Sequence, residues 1–573
     1  MPEFNRRQFI AAGAGALAAA SVMRAVPVSA APFGSVDATL PAPPAFPPGI
    51  PLYQQRYQNW SKEIIRDAVW TCSPTTPDDV VTLANWAHAN SYRLRPRGAM
   101  HGWTPLTIVN GENIERFMLV DTTVHLNGIT VDPSTSTVTA GAGATIEAIL
   151  QQLENNGLGW VSVPAPGVLT VAGSLAVDAH GAAIPADGET PVFGTTYGSL
   201  SNLVTSLTAV VWDGNAYALR TFERSDPEIT PLLTHLGRAF LTSVTMQAGA
   251  NTRMRCQSYT DIGWREMFGA AGASGRTFES YLARTGRVEA IWYPFTENPW
   301  LKVWSVSPVK PPESREVTGP YNYPFSDNLP EVASDLIGQL TAGNTFIAPA
   351  FGQVYYGTTV AGLAATGSSD IWGWAKDLQF YIKPSTLLLT EGGGAVITNR
   401  ANVAQVIHEF TEWFAGRVAY YQSIGQYPIN GPVEIRCCGM DDPADVVVES
   451  AGPPTISAMR PRPDHPEWDT AVWLNVLGVP GTPGMFAFYR EMEQWMRSHY
   501  TGSWATFRPE WSKGWAFSAE LPYQDPVVID STLPNTYREG VPTSENWDTA
   551  RATFDALDPN RIYSNTFIDR LLP

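Results

Sequence analysis

The sequence predicts an α+β protein with two domains. Its 573 residues are more than one ordinary hydrophobic core organises, so at least two domains are expected. Helical and strand patterns are mixed along the chain, and its 44% of hydrophobic residues suits a globular protein. We expect a leader over residues 1–45, a first domain over 46–250, an aromatic-rich second domain over 251–529, and a tail over 530–573 that returns to the first domain.

The first domain shows the clearest local signals. Thr76, Pro77 and the acids Asp78 and Asp79 form a good helix start, because they supply a cap, a fixed backbone angle and charges that suit the positive helix end. A second capped helix is predicted from Thr145. We expect folded structure to begin near Trp60. The strand candidates here are 92–97, 117–121, 136–140 and 204–211.

The second domain reads as a largely antiparallel sheet with flanking helices. Its strand candidates are 288–293, 301–306, 378–382 and 432–436. Its helix candidates are 402–416 and 484–499, and the end of the chain, 540–573, reads as short and helical.

The N-terminus reads as a targeting segment. Asn5 to Ile10 has the twin-arginine pattern, residues 11–20 are a soft apolar stretch, and Ala30-Ala31 offers a cleavage site. Twin-arginine export carries folded proteins, so the pattern predicts a secreted or periplasmic protein that gains its cofactor before export. The apolar stretch is short for a membrane span.

Charge and cysteine usage exclude several classes. A net charge of −17 disfavours nucleic acid and anionic lipid as partners. Cys72, Cys256, Cys437 and Cys438 match no zinc spacing, and we expect free buried thiols. No metal cluster, P-loop or Rossmann fingerprint is evident in the sequence.

Two glycine-rich stretches carry the strongest functional signal. The loop at residues 95–103 places His101 between Gly98 and Gly102, and its backbone N–H groups are suited to an anion such as a pyrophosphate. In the second stretch, residues 168–181, small residues permit close approach to a flat ligand. The candidate cofactor contacts are Arg97, Gly98, Ala99, Met100, His101, Gly102, Trp103, Gly173, Ser174, Asp178, His180, Gly181, Tyr197, Gly198 and Ser199.

These stretches, in this order and separation, resemble the vanillyl-alcohol-oxidase-type flavoproteins. The residues around Glu289, Glu434, Trp473 and Arg508 resemble one branch of that family, the bacterial cholesterol oxidases with covalently bound FAD, and the likeness runs from about residue 46 to the end. The resemblance implies a PCMH-type FAD-binding domain and a substrate domain that roofs the flavin. It also implies a bond from His101 to the C8 methyl of the flavin, with His180 as the rival attachment site.

The candidate catalytic residues lie in the second domain. Glu434 and Arg436 leave the same face of a strand, either as a surface salt bridge or as a pair that, by resemblance, gates oxygen. Glu289 interrupts an apolar strand, either facing outward or as a base with a raised pKa, and Glu297 is a lesser candidate. Asn475 either binds the substrate hydroxyl or is a satisfied core amide. Lys513 is expected near the pyrimidine end of the flavin, where a cation stabilises the reduced ring.

The resemblance implies oxidation of the 3β-hydroxyl of cholesterol and related sterols by O2, giving H2O2, followed by isomerisation of the 5-en-3-one to the 4-en-3-one. Few charges and many aromatic residues favour a hydrophobic substrate. One alternative is an FAD-linked oxidase or dehydrogenase of another hydrophobic or polyol alcohol. Another is an exported sterol-binding protein without redox activity. We expect a monomer that makes at most transient contact with sterol-bearing membranes.

Overall fold

Folded structure begins earlier than Trp60. The computed structural model describes residues 40–324 and 331–573, so the predicted twin-arginine segment lies outside the described residues. The indoles of Trp70 and Trp86 donate to the carbonyls of Pro41 and Pro44, each at 2.9 Å. These two bonds fix Pro41 and Pro44, at the end of the proline-rich leader, against the first domain.

The first domain starts with a mixed sheet in the order β1-β2-β4-β3. Helix α1 begins as predicted: Thr76 caps the backbone of Asp79, and the Asp79 side chain reciprocates in a capping box. The elements are β1 (Leu52–Gln58), β2 (Ile65–Cys72), α1 (Pro77–Asn90), β3 (Arg93–Arg97) and β4 (Phe117–Asp121).

A second, antiparallel sheet follows in the order β5-β6-β10-β8-β9, with β7 and β11 forming a small separate pair. Helix α2 begins at Ile146 after its Thr145 cap, and its buried face packs against this sheet. The elements are β5 (Ile129–Asp132), β6 (Thr137–Gly141), α2 (Ile146–Glu154), β7 (Leu158–Gly159), α3 (Val171–Ala176), β8 (Val204–Trp212), β9 (Tyr217–Glu223), α4 (Ile229–Leu232), β10 (Phe240–Gln247) and β11 (Gly249–Ala250).

The second domain is built on a nine-stranded sheet, antiparallel except where β15 joins β16. Its order is β15-β16-β12-β14-β13-β18-β19-β17-β20. The strands are β12 (Arg253–Tyr259), β13 (Arg287–Trp292), β14 (Trp300–Val306), β15 (Arg315–Glu316), β16 (Asp370–Trp374), β17 (Thr390–Thr398), β18 (Val433–Gly439), β19 (Thr470–Gly478) and β20 (Ala505–Pro509).

The two faces of this sheet differ in character. One face carries Val288, Ala290, Ile435 and Leu474, which pack under the helices in an apolar core. The opposite face carries Glu289, and side chains alternate along a strand, so the polar residues of neighbouring strands share this face. The helices of the domain are α5 (Trp264–Met267), α6 (Phe278–Thr285), α7 (Glu331–Thr341), α8 (Ala348–Thr366), α9 (Ala375–Gln379), α10 (Val403–Ser423) and α11 (Met485–His499).

The strand predicted at 378–382 is wrong. Helix α9 occupies its start, and the Gln379 side chain then bonds the backbone of Val161 and Val163, each at 3.0 Å. These side-chain bonds fix the segment against the first domain, so the β-favouring aromatics Phe380 and Tyr381 do not join the sheet.

The C-terminal residues pack against the first domain. The N–H of Leu94 donates to Ile562 at 2.7 Å, and Arg238 pairs with Asp558 at 2.8 Å. Trp511 and Trp547 belong to the same core as α2 and β8. The helices are α12 (Leu533–Thr536), α13 (Trp547–Leu557) and α14 (Thr566–Leu571). The chain thus closes on the sheet that precedes the His101 loop.

The four cysteines are free and buried, as predicted. Across the part of the chain that the structure describes, no helix is both long enough and apolar enough to cross a bilayer.

Candidate active site

A cavity of about 370 Å³ lies between the two domains. One wall consists of the two glycine-rich stretches of the first domain, and the other is the polar face of the nine-stranded sheet. The volume is in the range of small-molecule sites. The sheet therefore covers the two segments that the sequence singled out for ligand contact.

The His101 loop is held by two hydrogen bonds from Trp103, two residues after the histidine. The N–H of Trp103 donates to Ser512 at 2.8 Å, and the Trp103 indole donates to Leu389 at 3.0 Å. The His101 ring lies 3.7 Å from the ring of Trp60, between centroids. Burial and the charge of Lys513 lower the pKa of His101 to about 3, so its imidazole is neutral at ordinary pH.

The rest of the predicted loop contacts also line the cavity. Met100 takes a positive φ of 56°, which turns the chain sharply beside the histidine. At Gly102 a Cβ would meet nothing within 4 Å, so the backbone there borders open space. The loop residues at the cavity are Arg97, Gly98, Ala99, Met100, His101, Gly102 and Trp103.

Gly98 is the position where the loop tolerates least. A Cβ there would lie 2.2 Å from Oγ1 of Thr170, the residue before α3. We expect Gly98→Ala to lower the free energy of unfolding by about 1–3 kcal/mol, because either the loop backbone or the Thr170 side chain must shift to make room for the methyl group. Chemical denaturation measures this. Gly128→Ala, where a Cβ meets nothing within 4 Å, is the control, and Gly98→Ala with Thr170→Ala should recover part of the loss. Equal stability of the Gly98 and Gly128 variants would contradict the contact.

The second glycine-rich stretch brings hydroxyl groups to the cavity. Gly173, Ser174, His180 and Gly181 line it, and the buried hydroxyls of Ser162 and Ser174 have no hydrogen-bond partner among the residues that the structure describes. The His180 ring stacks on Trp473, with centroids 3.9 Å apart and an angle of 11°. Burial lowers the pKa of His180 to about 4. Both histidines proposed for attachment thus reach the same cavity as neutral rings.

Five predicted site residues lie behind the cavity wall instead of lining it. The carboxylate of Asp178 accepts from the Ala458 N–H at 2.6 Å, and Ser199 binds Asp441 through its N–H at 2.6 Å. These bonds join the two domains. They also explain why residue 198 is a glycine, because a Cβ there would lie 2.4 Å from Oδ1 of Asp441. The five residues are Asp178, Tyr197, Gly198, Ser199 and Asn475.

The side chain of Asn475 contacts a carboxylate. The sequence had left open whether it binds the substrate hydroxyl or is a core amide. Its Nδ2 donates to Oε2 of Glu510 at 2.7 Å, and the side chain is fully buried. It orients Glu510, which does line the cavity. Glu297 is also absent from the cavity lining.

Glu289, Glu434 and Arg436 meet on the polar face of the sheet. Arg436 Nη1 lies 3.1 Å from Oε1 of Glu289 and 2.9 Å from Oε2 of Glu434. All three residues line the cavity, so Glu289 faces inward, and the Glu434–Arg436 pair is a partly buried one. One guanidinium is therefore shared between two carboxylates.

The pKa of Glu289 is lowered, so the sequence-based expectation of a raised value is wrong. Burial raises it, but the charges of Lys302 and Arg436 and the hydroxyl of Tyr381 outweigh burial. Glu289 is thus held as a carboxylate although its side chain is buried in the cavity wall.

A second charged cluster, which the sequence analysis missed in part, lies beside the His101 loop. Lys513 pairs with Glu391, and its ammonium lies 3.9 Å from the Trp103 ring centroid. Burial raises the pKa of Glu391 to about 7, so a carboxyl group with a raised pKa does line the cavity, but it is not Glu289. The sequence does carry a signal for Glu391: it is a single acidic residue directly before Gly392, Gly393 and Gly394 in a buried strand. Glu510 is another cavity carboxyl group that the sequence did not reveal.

The remaining lining is strongly apolar. Aromatic rings from several strands and helices enclose the space above the charged residues, which fits a large hydrophobic ligand with one polar end. These lining residues are Tyr293, Trp300, Trp304, Tyr355 and Tyr381.

Comparison with known proteins follows the two walls of the cavity. A family model described as cholesterol oxidase, substrate-binding, matches residues 253–573, and an FAD binding domain model matches residues 70–220. No curated protein sequence matches the chain.

Among solved structures, a cholesterol oxidase from Brevibacterium sterolicum is 66% identical with a TM-score of 0.92, covering 94% of this chain and 100% of its own. A histidine-to-alanine mutant of it matches equally well. A solvent-stable cholesterol oxidase is 51% identical with a TM-score of 0.92, covering 93% of this chain and 100% of its own. The berberine bridge enzyme from Eschscholzia californica, 10% identical with a TM-score of 0.52 over 87% of this chain and 88% of its own, shares the fold.

Proposed function

This chain belongs to the cholesterol oxidase family, and we propose that it oxidises the 3β-hydroxyl of cholesterol and related sterols with an FAD bonded to His101. It is an FAD-dependent oxidoreductase that acts on the 3-hydroxyl of a sterol. One observation carries the finer proposal. The His101 loop and the Glu289–Arg436–Glu434 cluster line opposite walls of one cavity.

The residues present fit FAD. The loop from Gly98 to Gly102 offers backbone N–H groups and open space beside it, and the unpartnered hydroxyls of Ser162 and Ser174 supply donors for phosphate oxygens. Arg97 brings a guanidinium to the cavity, where it is paired with Asp121 at 2.8 Å. When bound, FAD accepts hydride from the sterol carbon and passes the electrons to O2, giving H2O2.

His101 is suited to a covalent bond. A nucleophilic imidazole must be neutral, and the lowered pKa of His101 keeps it so. The bond would join a ring nitrogen of His101 to the flavin C8 methyl carbon. The two hydrogens lost, one from each partner, would leave their electrons on the flavin ring, which O2 would reoxidise to give H2O2. Lys513 places a positive charge beside Trp103, which belongs to the His101 loop. A positive charge at this position would stabilise the anionic reduced flavin ring.

Glu289 is the proposed base. Its carboxylate accepts the proton of the sterol hydroxyl as hydride leaves the adjoining carbon, so that neither an alkoxide nor a protonated ketone has to form. Its lowered pKa keeps the side chain ionised at neutral pH, which is the form that can accept a proton. That proton is consumed when H2O2 forms, which returns the carboxylate to its ionised form. The same carboxylate is then proposed to move a proton from C4 to C6, which converts the 5-en-3-one into the 4-en-3-one.

Arg436 is proposed to control access. It bonds Glu289 and Glu434 together, so its guanidinium can stay with one carboxylate while the other is released. Opening this contact would admit O2 to the cavity. Twin-arginine export, a monomeric state and transient contact with sterol-bearing membranes complete the proposal.

Turnover of cholesterol tests this function. The purified holoprotein should consume O2 and release H2O2 and 4-en-3-one in equal amounts, followed by an oxygen electrode, a peroxidase assay and enone absorbance. The 3α-epimer of cholesterol is the matched control, because its hydroxyl points away from the base, and it should not react. Sterol oxidation that needs an artificial acceptor and yields no peroxide would contradict the oxidase assignment.

A further inference from the structure

Behind Glu289, Lys302 occupies a cage of aromatic rings. Its ammonium nitrogen lies 2.9, 4.8, 5.2 and 5.4 Å from the ring centroids of Tyr381, Trp304, Trp300 and Tyr323. The side chain is 0% exposed. Aromatic faces carry partial negative charge, so rings arranged in this way hold a cation in place.

The cage directs Lys302 at one oxygen of Glu289. The Lys302 Nζ lies 3.4 Å from Oε2, and the hydroxyl of Tyr381 donates to the same oxygen at 2.5 Å. The two residues are register partners on β13 and β14, so the backbone fixes their approach. The other oxygen, Oε1, is the one that Arg436 binds.

The two cations at Glu289 differ in freedom. Arg436 lines the cavity and already binds a second carboxylate, Glu434, at 2.9 Å. Lys302 is enclosed, and its ion-pair partner is Glu289 alone among the described residues. Movement of Arg436 toward Glu434 therefore leaves Lys302 as the countercharge.

We propose that Lys302 is a positioning residue for sterol oxidation, which holds Glu289 in place and keeps it ionised while Arg436 is engaged with Glu434. The inference rests on the proposed role of Glu289 as the base. The cage supplies the binding site of the ammonium group, and Glu289 supplies its charge balance. With an uncharged residue in the cage, Arg436 would be the remaining positive charge at Glu289, and Arg436 also binds Glu434.

Other titratable groups face this pair. They are Arg436 and Glu434 from β18, Cys256 from β12, and Tyr323 and Tyr381 from the segments around the cage. Burial raises the pKa of Cys256 to about 11 and raises the pKa values of both tyrosines. These three groups do not titrate near neutral pH, so an acid limb in the activity profile is assigned to the carboxylates.

Replacing Lys302 by methionine tests the proposal. Removal of an opposite charge at this distance raises a carboxyl pKa by about 1–3 units, so the acid limb of kcat/KM for cholesterol should move up by at least about 1 pH unit. The rate on the alkaline plateau should fall much less. Lys376→Met is the matched control, because Lys376 is also buried and paired, with Asp377 and Glu154, away from the cavity. It should leave the pH profile unchanged.

A second readout does not need turnover. The infrared C=O band of protonated Glu289 is identified as the band that is lost in the Glu289→Gln variant. As the pH is lowered, this band should appear at a higher pH in Lys302→Met than in the unsubstituted protein. That result separates the role of Lys302 from the sterol assignment. If Lys302→Met folds poorly, Lys302→Gln removes the same charge and should give the same shift. A folded variant with an unshifted band and an unshifted acid limb would overturn the proposal.

Discussion

Replacing Glu289 by glutamine should lower kcat/KM for cholesterol by about 10²- to 10⁴-fold, the usual worth of a general base. The amide keeps the shape of the side chain but cannot accept the hydroxyl proton. Isomerisation should slow as well, so that the 5-en-3-one accumulates before the 4-en-3-one. Stopped-flow reduction of the flavin measures the first step, and chromatography of the two ketones measures the second.

The matched control for this variant is Glu189→Gln. Glu189 is also ion-paired with a β13 residue, Arg287, at 2.7 Å, but it does not line the cavity. Its removal should leave flavin reduction unchanged. Unchanged oxidation and unchanged isomerisation in folded Glu289→Gln would remove Glu289 from the mechanism and direct attention to Glu434 or Glu391.

Replacing His101 by alanine should release all of the flavin into the supernatant when the holoprotein is precipitated with acid. The loop would keep its contacts through Trp103 and Ser512, so FAD should still bind without the bond. The flavin reduction potential should fall, because the bond raises it. Absorbance of pellet and supernatant, and a redox titration, measure both effects.

His180→Ala is the necessary companion, because His180 is the rival attachment site and reaches the same cavity. We expect its pellet to stay yellow. A yellow pellet from His101→Ala together with a colourless pellet from His180→Ala would assign the bond to His180.

Local signals in the sequence predicted much of the fold. The capping box at Thr76 and the cap at Thr145 are set by residues three or four apart, and the structure has both helices where these caps place them. Glycine and proline around His101 likewise define a tight loop by their own backbone limits. Such features need no information from distant parts of the chain.

The surroundings of Glu289 could not be predicted in the same way. Its pKa is set by Lys302 from the next strand, Arg436 from another, and Tyr381, which is 92 residues away. The sheet register brings Lys302 and Arg436 to Glu289, and the segment after α9 brings Tyr381. Alternation within one strand shows that Glu289 and Val288 face opposite ways, but it does not say which face is charged.

The residues behind the cavity wall show a second limit. Asp178 and Ser199 lie in small-residue stretches that suit a flat ligand, yet they bind Ala458, Ser457 and Asp441 from the second domain. Close approach of one backbone to another demands small residues as much as a cofactor does. Composition alone does not distinguish these uses.

The mass of one peptide tests the central claim most directly. Trypsin should release residues 98–116 of the native holoprotein, and the claim predicts that this peptide carries the added mass of FAD less two hydrogens, with fragment ions placing it on His101. Recovery of the same peptide at its unmodified mass, from native protein that is yellow, would contradict it.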